Sequence, residues 1–180
     1  STQQIEDSNL IVYPFIDGQD GFKRNLTDYQ WVNLGSALRK VHDINLPPSI
    51  QKKVRTEVYS PKYREVVRSL YKHIEAEPTG DEAALKLWQF MKANTLAIHR
   101  LVDRAEQLGQ QVREQSDKFV LCHSDIHGGN VFLVGDDNIY IVDWDAPIMA
   151  PKERDLMFIG GGVANVWNEP DEEKLFYQGY

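Results

Sequence analysis

Within eight consecutive residues, His123-Ser124-Asp125-Ile126-His127-Gly128-Gly129-Asn130, the chain sets a carboxylate, two imidazoles, an amide and two glycines. Apolar runs flank this stretch, Phe119-Val120-Leu121-Cys122 before it and Val131-Phe132-Leu133-Val134 after it. A packed core has no use for so many polar groups between two strand-forming runs, so the stretch reads as a loop between strands. Glycine lets backbone approach a ligand closely, a carboxylate accepts a proton, and an amide oxygen is a neutral hard ligand. Loops held between strands often carry function. The next run, Ile139-Tyr140-Ile141-Val142, follows the turn Gly135-Asp136-Asp137-Asn138 and completes a hairpin. That hairpin delivers Asp143-Trp144-Asp145 at its end, where two more carboxylates can face the same place.

Phosphoryl transfer to a hydroxyl needs these parts. A loop aspartate accepts the hydroxyl proton, while a loop asparagine and a second aspartate hold magnesium against the nucleotide phosphates. The kinase catalytic loop reads His-Arg-Asp and then, after four residues, Asn. His123, Asp125 and Asn130 stand at that spacing, with Ser124 in the arginine place, and Asp143 stands where Asp-Phe-Gly has its aspartate. His123 alone would be read as structural, orienting the loop by hydrogen bonds. A different chemistry would make His123, Asp125 and His127 the zinc ligands of a hydrolase, since alternate positions on extended backbone can face one cation. That reading leaves Asn130 and Asp143-Trp144-Asp145 without a role, and zinc in the purified protein would distinguish it. A third reading keeps the lobe as a non-catalytic binding module.

The catalytic stretch resembles the aminoglycoside phosphotransferase family, whose loop is similar to His-x-Asp-x-His-x-x-Asn and whose metal segment is similar to Ile/Val-Asp-Trp-Asp/Glu. Asp143 to Pro147, with Ala150-Pro151-Lys152-Glu153-Arg154-Asp155-Leu156-Met157-Phe158-Ile159, looks most like the spectinomycin-phosphorylating branch. Leu10-Ile11-Val12-Tyr13-Pro14-Phe15-Ile16-Asp17-Gly18 resembles that family's inter-lobe hinge, and Leu34 to His42 resembles the helix after it. The resemblance implies an ATP-dependent (or GTP-dependent) enzyme using Mg2+. Its acceptor would be a hydroxyl on an aminoglycoside or aminocyclitol, or on another small alcohol such as choline, homoserine or a sugar. It makes Asp125 the catalytic base, Asn130 and Asp143 the metal ligands, and Val12, Tyr13 and Phe15 the adenine contacts. His123, His127 and Asp145 support the site, Asp145 as an outer ligand. Antibiotic resistance would be the consequence of such an activity.

The elements that must position this loop can be read in turn. Leu10 to Ile16 forms one strand-like run stopped by Asp17-Gly18 and Asp20-Gly21. Thr27 or Asp28 caps a helix on Trp31, Leu34, Leu38 and Val41 that cannot pass Pro47-Pro48. Ser60-Pro61 opens a second helix on Tyr63, Val66, Val67, Leu70 and Ile74, closed by Pro78 and Gly80. From Asp81 to about Gln115 one long helical stripe uses Ala84, Trp88, Met91, Thr95, Ile98, Val102, Ala105 and Leu108, with His99-Arg100 as solvated side chains on it. Past Asp145 the chain reads as irregular through Pro147 and Pro151, then as a final helix from Asp171. The fold class is α+β and mainly α, a protein-kinase-like carboxy-terminal lobe with a small catalytic β-hairpin.

No Gly-rich phosphate loop, Val-Ala-Ile-Lys-like strand or partner glutamate helix precedes the hinge. Gly160-Gly161-Gly162 follows the metal segment and reads as a plain turn. The expectation is therefore that residues 1–18 are the last small-lobe strand and hinge and residues 19–180 a large lobe cut at both ends, whose missing small lobe is a partner in the same parent chain. The 180 residues, 42% hydrophobic, suffice for one core. A single cysteine, Cys122, excludes an internal disulfide framework and fits a cytoplasmic setting. With 27 acidic residues against 20 basic ones, the charge of -7 disfavours nucleic acid and mildly favours a cationic small-molecule acceptor. No apolar run approaches the roughly 20 residues of a membrane helix, so no membrane partner is expected.

Overall fold

A computed structural model describes residues 2–5, 8–74, 80–115 and 118–180. In chain order the elements are β1 (Thr2–Ile5), β2 (Ser8–Ile11), β3 (Gln19–Asp20), α1 (Asp28–His42), α2 (Pro48–Gln51), β4 (Arg55–Thr56), α3 (Lys62–Ile74), α4 (Glu82–Ala93) and α5 (Thr95–Gln115). They continue as β5 (Val120–Cys122), β6 (Val131–Val134), β7 (Asn138–Ile141), β8 (Ile148–Ala150), α6 (Glu153–Leu156) and α7 (Pro170–Gly179). The chain forms two units, one of residues 1–55 with 119–180 and the other of residues 56–118.

The first unit carries the loop and hairpin. Thr27 caps α1 in a full capping box, accepting from the Gln30 N–H while the Gln30 side chain accepts from the Thr27 N–H. The buried face of α1 presents Trp31, Leu34 and Leu38 to a core that also holds Ile126, Val131, Leu133, Phe158, Trp167 and Phe176. α1 and α7 touch backbone to backbone: a methyl added at Gly35 would collide with the Phe176 carbonyl, and one at Gly179 with the Val32 carbonyl. β3, β6 and β7 form an antiparallel sheet with Gln19 opposite Leu133 and Phe132 opposite Tyr140, so the hairpin expected after the polar loop is present. β5 pairs with β8, Leu121 opposite Met149.

Three expectations are corrected in detail. The strand placed on Leu10 to Ile16 ends at Ile11 as β2, paired with β1, because Pro14 has no N–H to give a ladder. The chain beyond Asp145 is not wholly irregular, since Ile148–Ala150 is a strand. The long helix is two helices broken at Asn94, whose backbone leaves helical geometry at φ −107°, ψ 12°. There the Asn94 amide donates to the Phe90 carbonyl at 2.8 Å and the Thr95 hydroxyl lies 2.9 Å from the Lys92 carbonyl, so side chains take acceptors left at the helix end.

The second unit is helical. Tyr71 on α3 is buried and donates its hydroxyl to the Met91 carbonyl at 3.2 Å, and Trp88 on α4 donates to the Ile74 carbonyl at 3.0 Å. Of the long stripe, Trp88, Met91, Thr95, Ile98 and Val102 are sheltered, while Ala84, Ala105 and Leu108 are exposed. His99 is more than a solvated side chain, because its ring meets the Tyr71 ring edge-on at 4.5 Å. Pro78, expected to close α3, lies outside the described residues. Among the described residues no helix is long and apolar enough to cross a membrane.

Candidate active site

Ile126, fully buried at the centre of the polar loop, nails it to the core and leaves Asp125 on the solvent side. Burying such a side chain contributes about 1.5–3 kcal/mol. His123 is buried as well. Its Nδ1 accepts the Asp125 N–H at 3.3 Å, so its Nε2 carries the proton and donates to the Val142 carbonyl at 2.8 Å. Through these bonds His123 ties the loop to the strand end that leads into Asp143. The Trp144 ring meets His123 edge-on at 4.6 Å and its N–H reaches the Ile141 carbonyl at 3.0 Å. The Ser124 hydroxyl donates to the Ala146 carbonyl at 3.0 Å. Loop and hairpin end are thus fastened at several points.

Asn130 is buried at the far end of the loop, in a single turn of 3-10 helix. Its Nδ2 donates to the Asp125 carbonyl at 2.8 Å, which leaves Oδ1 available as a ligand. The Asn130 carbonyl accepts from the Val142 N–H at 3.0 Å, bringing the loop against the residue before Asp143. Asp143 and Ser124 hold left-handed backbone, φ 62° and 74°, a conformation disfavoured for residues with a Cβ and sustained here by the surrounding bonds. Among the described residues no side-chain donor is paired with the Asp143 carboxylate. A neutral amide oxygen and an unpaired carboxylate are a donor set that suits a hard divalent cation such as magnesium.

Asp143 and Asp145 are among the residues that line an open cavity of about 700 Å³, together with Tyr13, Phe15, Phe132, Tyr140 and Ile141. A mainly apolar cavity with two carboxylates among its lining residues suits a nucleotide whose base packs on apolar side chains and whose phosphates meet a bound cation. Tyr13 and Phe15 of the expected hinge line it; Val12, 57% exposed, is not among its lining residues. His127 stands 3.5 Å from the Asp125 carboxylate.

Sequence reasoning passed over the anchor of the loop. Asp155, wholly buried on α6, accepts the His123 N–H at 2.9 Å on Oδ2 and the Ser124 N–H at 2.6 Å on Oδ1. His42, the last residue of α1, brings its Nε2 to Oδ2 at 3.0 Å and its Nδ1 to the Tyr180 hydroxyl at 2.7 Å. Since an ionised carboxylate only accepts, Nε2 carries the proton and Tyr180 donates to Nδ1. Burial and the neighbouring Arg39 act oppositely on Tyr180, and burial prevails, pushing its phenol up to about 12, so it keeps the proton it donates. Cys122 sits beside this group; burial first and the Asp155 charge second push its thiol up to about 12. These three side chains approach one another closely enough to suggest a metal cage, but the donors of His42, His123 and Ser124 already satisfy Asp155 and the thiol is held protonated. Neither residue stands out in the sequence, since His42 sits between Arg39-Lys40-Val41 and Asp43 and Asp155 follows Lys152-Glu153-Arg154, so no local pattern marks the pair.

A family model described as the phosphotransferase enzyme family matches residues 2–175. The crystal structure of spectinomycin phosphotransferase APH(9)-Ia in complex with ADP and spectinomycin is 52% identical with a TM-score of 0.91, over 99% of this chain and 54% of that one. The AMP-bound complex of spectinomycin phosphotransferase APH(9)-Ia is likewise 52% identical, with a TM-score of 0.90 over 99% of this chain and 57% of that one. A Plasmodium vivax ethanolamine kinase, 20% identical, superposes with a TM-score of 0.60 over all of this chain and 52% of its own, and shows the fold alone. The kinase-like α+β fold expected from the loop is the fold these structures share, and the chain spans about half their length.

Proposed function

Because the chain belongs to the phosphotransferase enzyme family, we propose that it is the large lobe of a kinase that moves the γ-phosphoryl group of ATP to a hydroxyl of a small cationic aminocyclitol such as spectinomycin. The observation that carries this reading is the exposed Asp125, whose backbone carbonyl is held by the Asn130 amide, beside the hairpin end that sets Asp143 and Asp145 on the mainly apolar cavity. The solved relative bound to ADP and spectinomycin supports the nucleotide and the acceptor. Residues 1–18, which carry the paired strands β1 and β2 rather than one strand, serve in this reading as the end of the small lobe and the hinge. GTP fits the same chemistry.

Asp125 accepts the proton of the acceptor hydroxyl as that oxygen attacks the γ-phosphorus. The bond from the γ-phosphorus to the β-γ bridging oxygen breaks, and the nucleoside diphosphate leaves with the electron pair. Asn130 Oδ1 and Asp143 would hold magnesium, which when bound neutralises charge on the phosphates. His123, Asp155 and the Ser124–Ala146 bond hold the loop backbone that carries Asp125, and positioning carries most of the catalysis of this reaction. Phosphorylation of spectinomycin in this way would confer resistance to it.

The test is radiolabel transfer from [γ-32P]ATP, with magnesium, by the protein expressed from its complete coding sequence. The panel is spectinomycin, several aminoglycosides, choline and homoserine. Transfer to spectinomycin is expected. Labelling of choline or homoserine alone would overturn the aminocyclitol assignment, and no transfer to any alcohol would overturn the kinase reading.

A further inference from the structure

Phe22 belongs to none of the motifs above. It sits on the turn after β3, 40% exposed. The turn is firmly built: Asp20 Oδ1 accepts the N–H groups of Phe22 and Lys23 at 3.1 and 3.2 Å, and the Gly21 N–H donates to the carbonyls of Gly128 and Val131 at 2.8 and 3.0 Å. This places the Phe22 ring flat on the catalytic loop. It stacks on His127 with centroids 5.3 Å apart and planes 15° apart. It also covers both loop glycines, since a methyl added at Gly128 or Gly129 would come within 2.9 or 2.8 Å of its ring carbons. Phe158 meets the imidazole edge-on at 6.4 Å.

The ring so held has one tautomer. The Gly129 N–H donates to His127 Nδ1 at 3.1 Å, which leaves the proton on Nε2, 3.5 Å from Asp125 Oδ2. Asn130 Nδ2 stands at the same distance, 3.5 Å, from that oxygen. Both contacts are long, as catalytic hydrogen bonds often are before substrate binds. Together they bound the rotation of the carboxylate and leave Oδ1 to the acceptor.

We infer that Phe22 is a positioning residue for phosphoryl transfer: it clamps the His127 imidazole with its Nε2–H toward Asp125 and so fixes the orientation of the catalytic carboxylate. The inference rests on the phosphotransferase reading of Asp125, and the clamp itself can be tested without it.

Phe22→Leu keeps apolar bulk and removes the flat ring; Phe22→Tyr keeps the ring. In the complete protein, Phe22→Leu is expected to lower kcat about tenfold or more, a misplacement of about 1 Å being able to cost 10²-fold. The KM for ATP should stay within about twofold, and Phe22→Tyr should restore kcat to within about twofold of wild type. In parallel, 15N NMR of the His127 ring should show a pure Nε2–H tautomer in the wild type and in Phe22→Tyr, and an averaged pair of ring nitrogens in Phe22→Leu. Should the leucine variant not fold, Phe22→Met supplies the same comparison. A wild-type kcat in the ringless variant, an unchanged tautomer, or failure of Phe22→Tyr to restore would each overturn the inference. If the wild type transfers phosphate to no acceptor, the proposed function fails, and the tautomer measurement alone decides the clamp.

Discussion

Replacing Asp155 by asparagine changes one atom's chemistry and almost no volume, so its cost can be worked from the bonds around it. Oδ2 takes two donors, His42 Nε2–H and the His123 N–H, while Oδ1 takes one, the Ser124 N–H at 2.6 Å. Asparagine keeps one oxygen. It loses least by leaving that oxygen to His42 and His123, which sets its NH2 group against the Ser124 N–H. One hydrogen bond to a charged acceptor is lost, worth about 1.5–3 kcal/mol, and a part-buried donor is left facing another donor at about 1–3 kcal/mol. Relief from burying a charge offsets part of this, so the expected net destabilisation is about 2–4 kcal/mol. Urea unfolding followed by tryptophan fluorescence reads it directly, since Trp31 and Trp167 stack edge-on at 5.3 Å in the same core. The midpoint should fall with an unchanged m-value. A change below about 0.5 kcal/mol, the level of an ordinary surface substitution, would show that the carboxylate does not hold the loop.

Further outcomes follow from the same geometry. Asp125→Asn in the complete protein should lower turnover at least about 10²-fold with nucleotide affinity nearly unchanged, measured by steady-state kinetics and ATP binding. Asp143→Asn should shift the magnesium dependence of activity to higher concentration; a curve overlaying that of the wild type would remove Asp143 as a ligand. Cys122, fully buried with its thiol pushed up to about 12, should resist alkylation in the native protein and react only on unfolding, as mass spectrometry would show. Because the folded thiol keeps its proton where the unfolded one ionises, near 9.0, that stabilisation is complete below pH 9 and lost as pH rises toward 12, at most about 1.4 kcal/mol per pH unit. Cys122→Ala should flatten that part of the urea-midpoint profile. Gly35→Ala, which drives a methyl into the Phe176 carbonyl, should cost about 1–3 kcal/mol in the same unfolding assay.

The loop and hairpin were legible because their information is local. Asp125, Asn130 and Asp143 declare themselves by type and spacing, and the turn before Asn138 punctuates two apolar runs. The α1 cap was legible for the same reason, Thr27 and Gln30 making their exchange within one turn. The break at Asn94 was hidden because Met91, Thr95 and Ile98 keep their helical phase across it, and only side-chain competition for the Phe90 and Lys92 carbonyls ends the helix. Strand β8 is three residues whose partner lies before the catalytic loop, so no pattern of its own marks it. Asp155 and Phe22 were passed over for a common cause: their partners, His42, His123 and Ser124 for the one, His127 for the other, are distant in the chain, and only the fold brings them together.

The helical unit, residues 56–118, interrupts the unit that carries the site, whose two pieces lie on either side of it in the chain. This gives synthesis on the ribosome a definite order. α1 is translated before the helical unit, with Trp31, Leu34 and Leu38 still unmatched by the later segments they pack against, from Ile126 to Phe176. The contiguous helices α3 to α5 can pair while that face waits, helical contacts of short sequence separation forming fastest. The catalytic loop therefore closes late, when α6 supplies Asp155 and α7 covers α1. Until then the apolar face of α1 lacks the segments that bury it, and apolar surface exposed in this way favours aggregation.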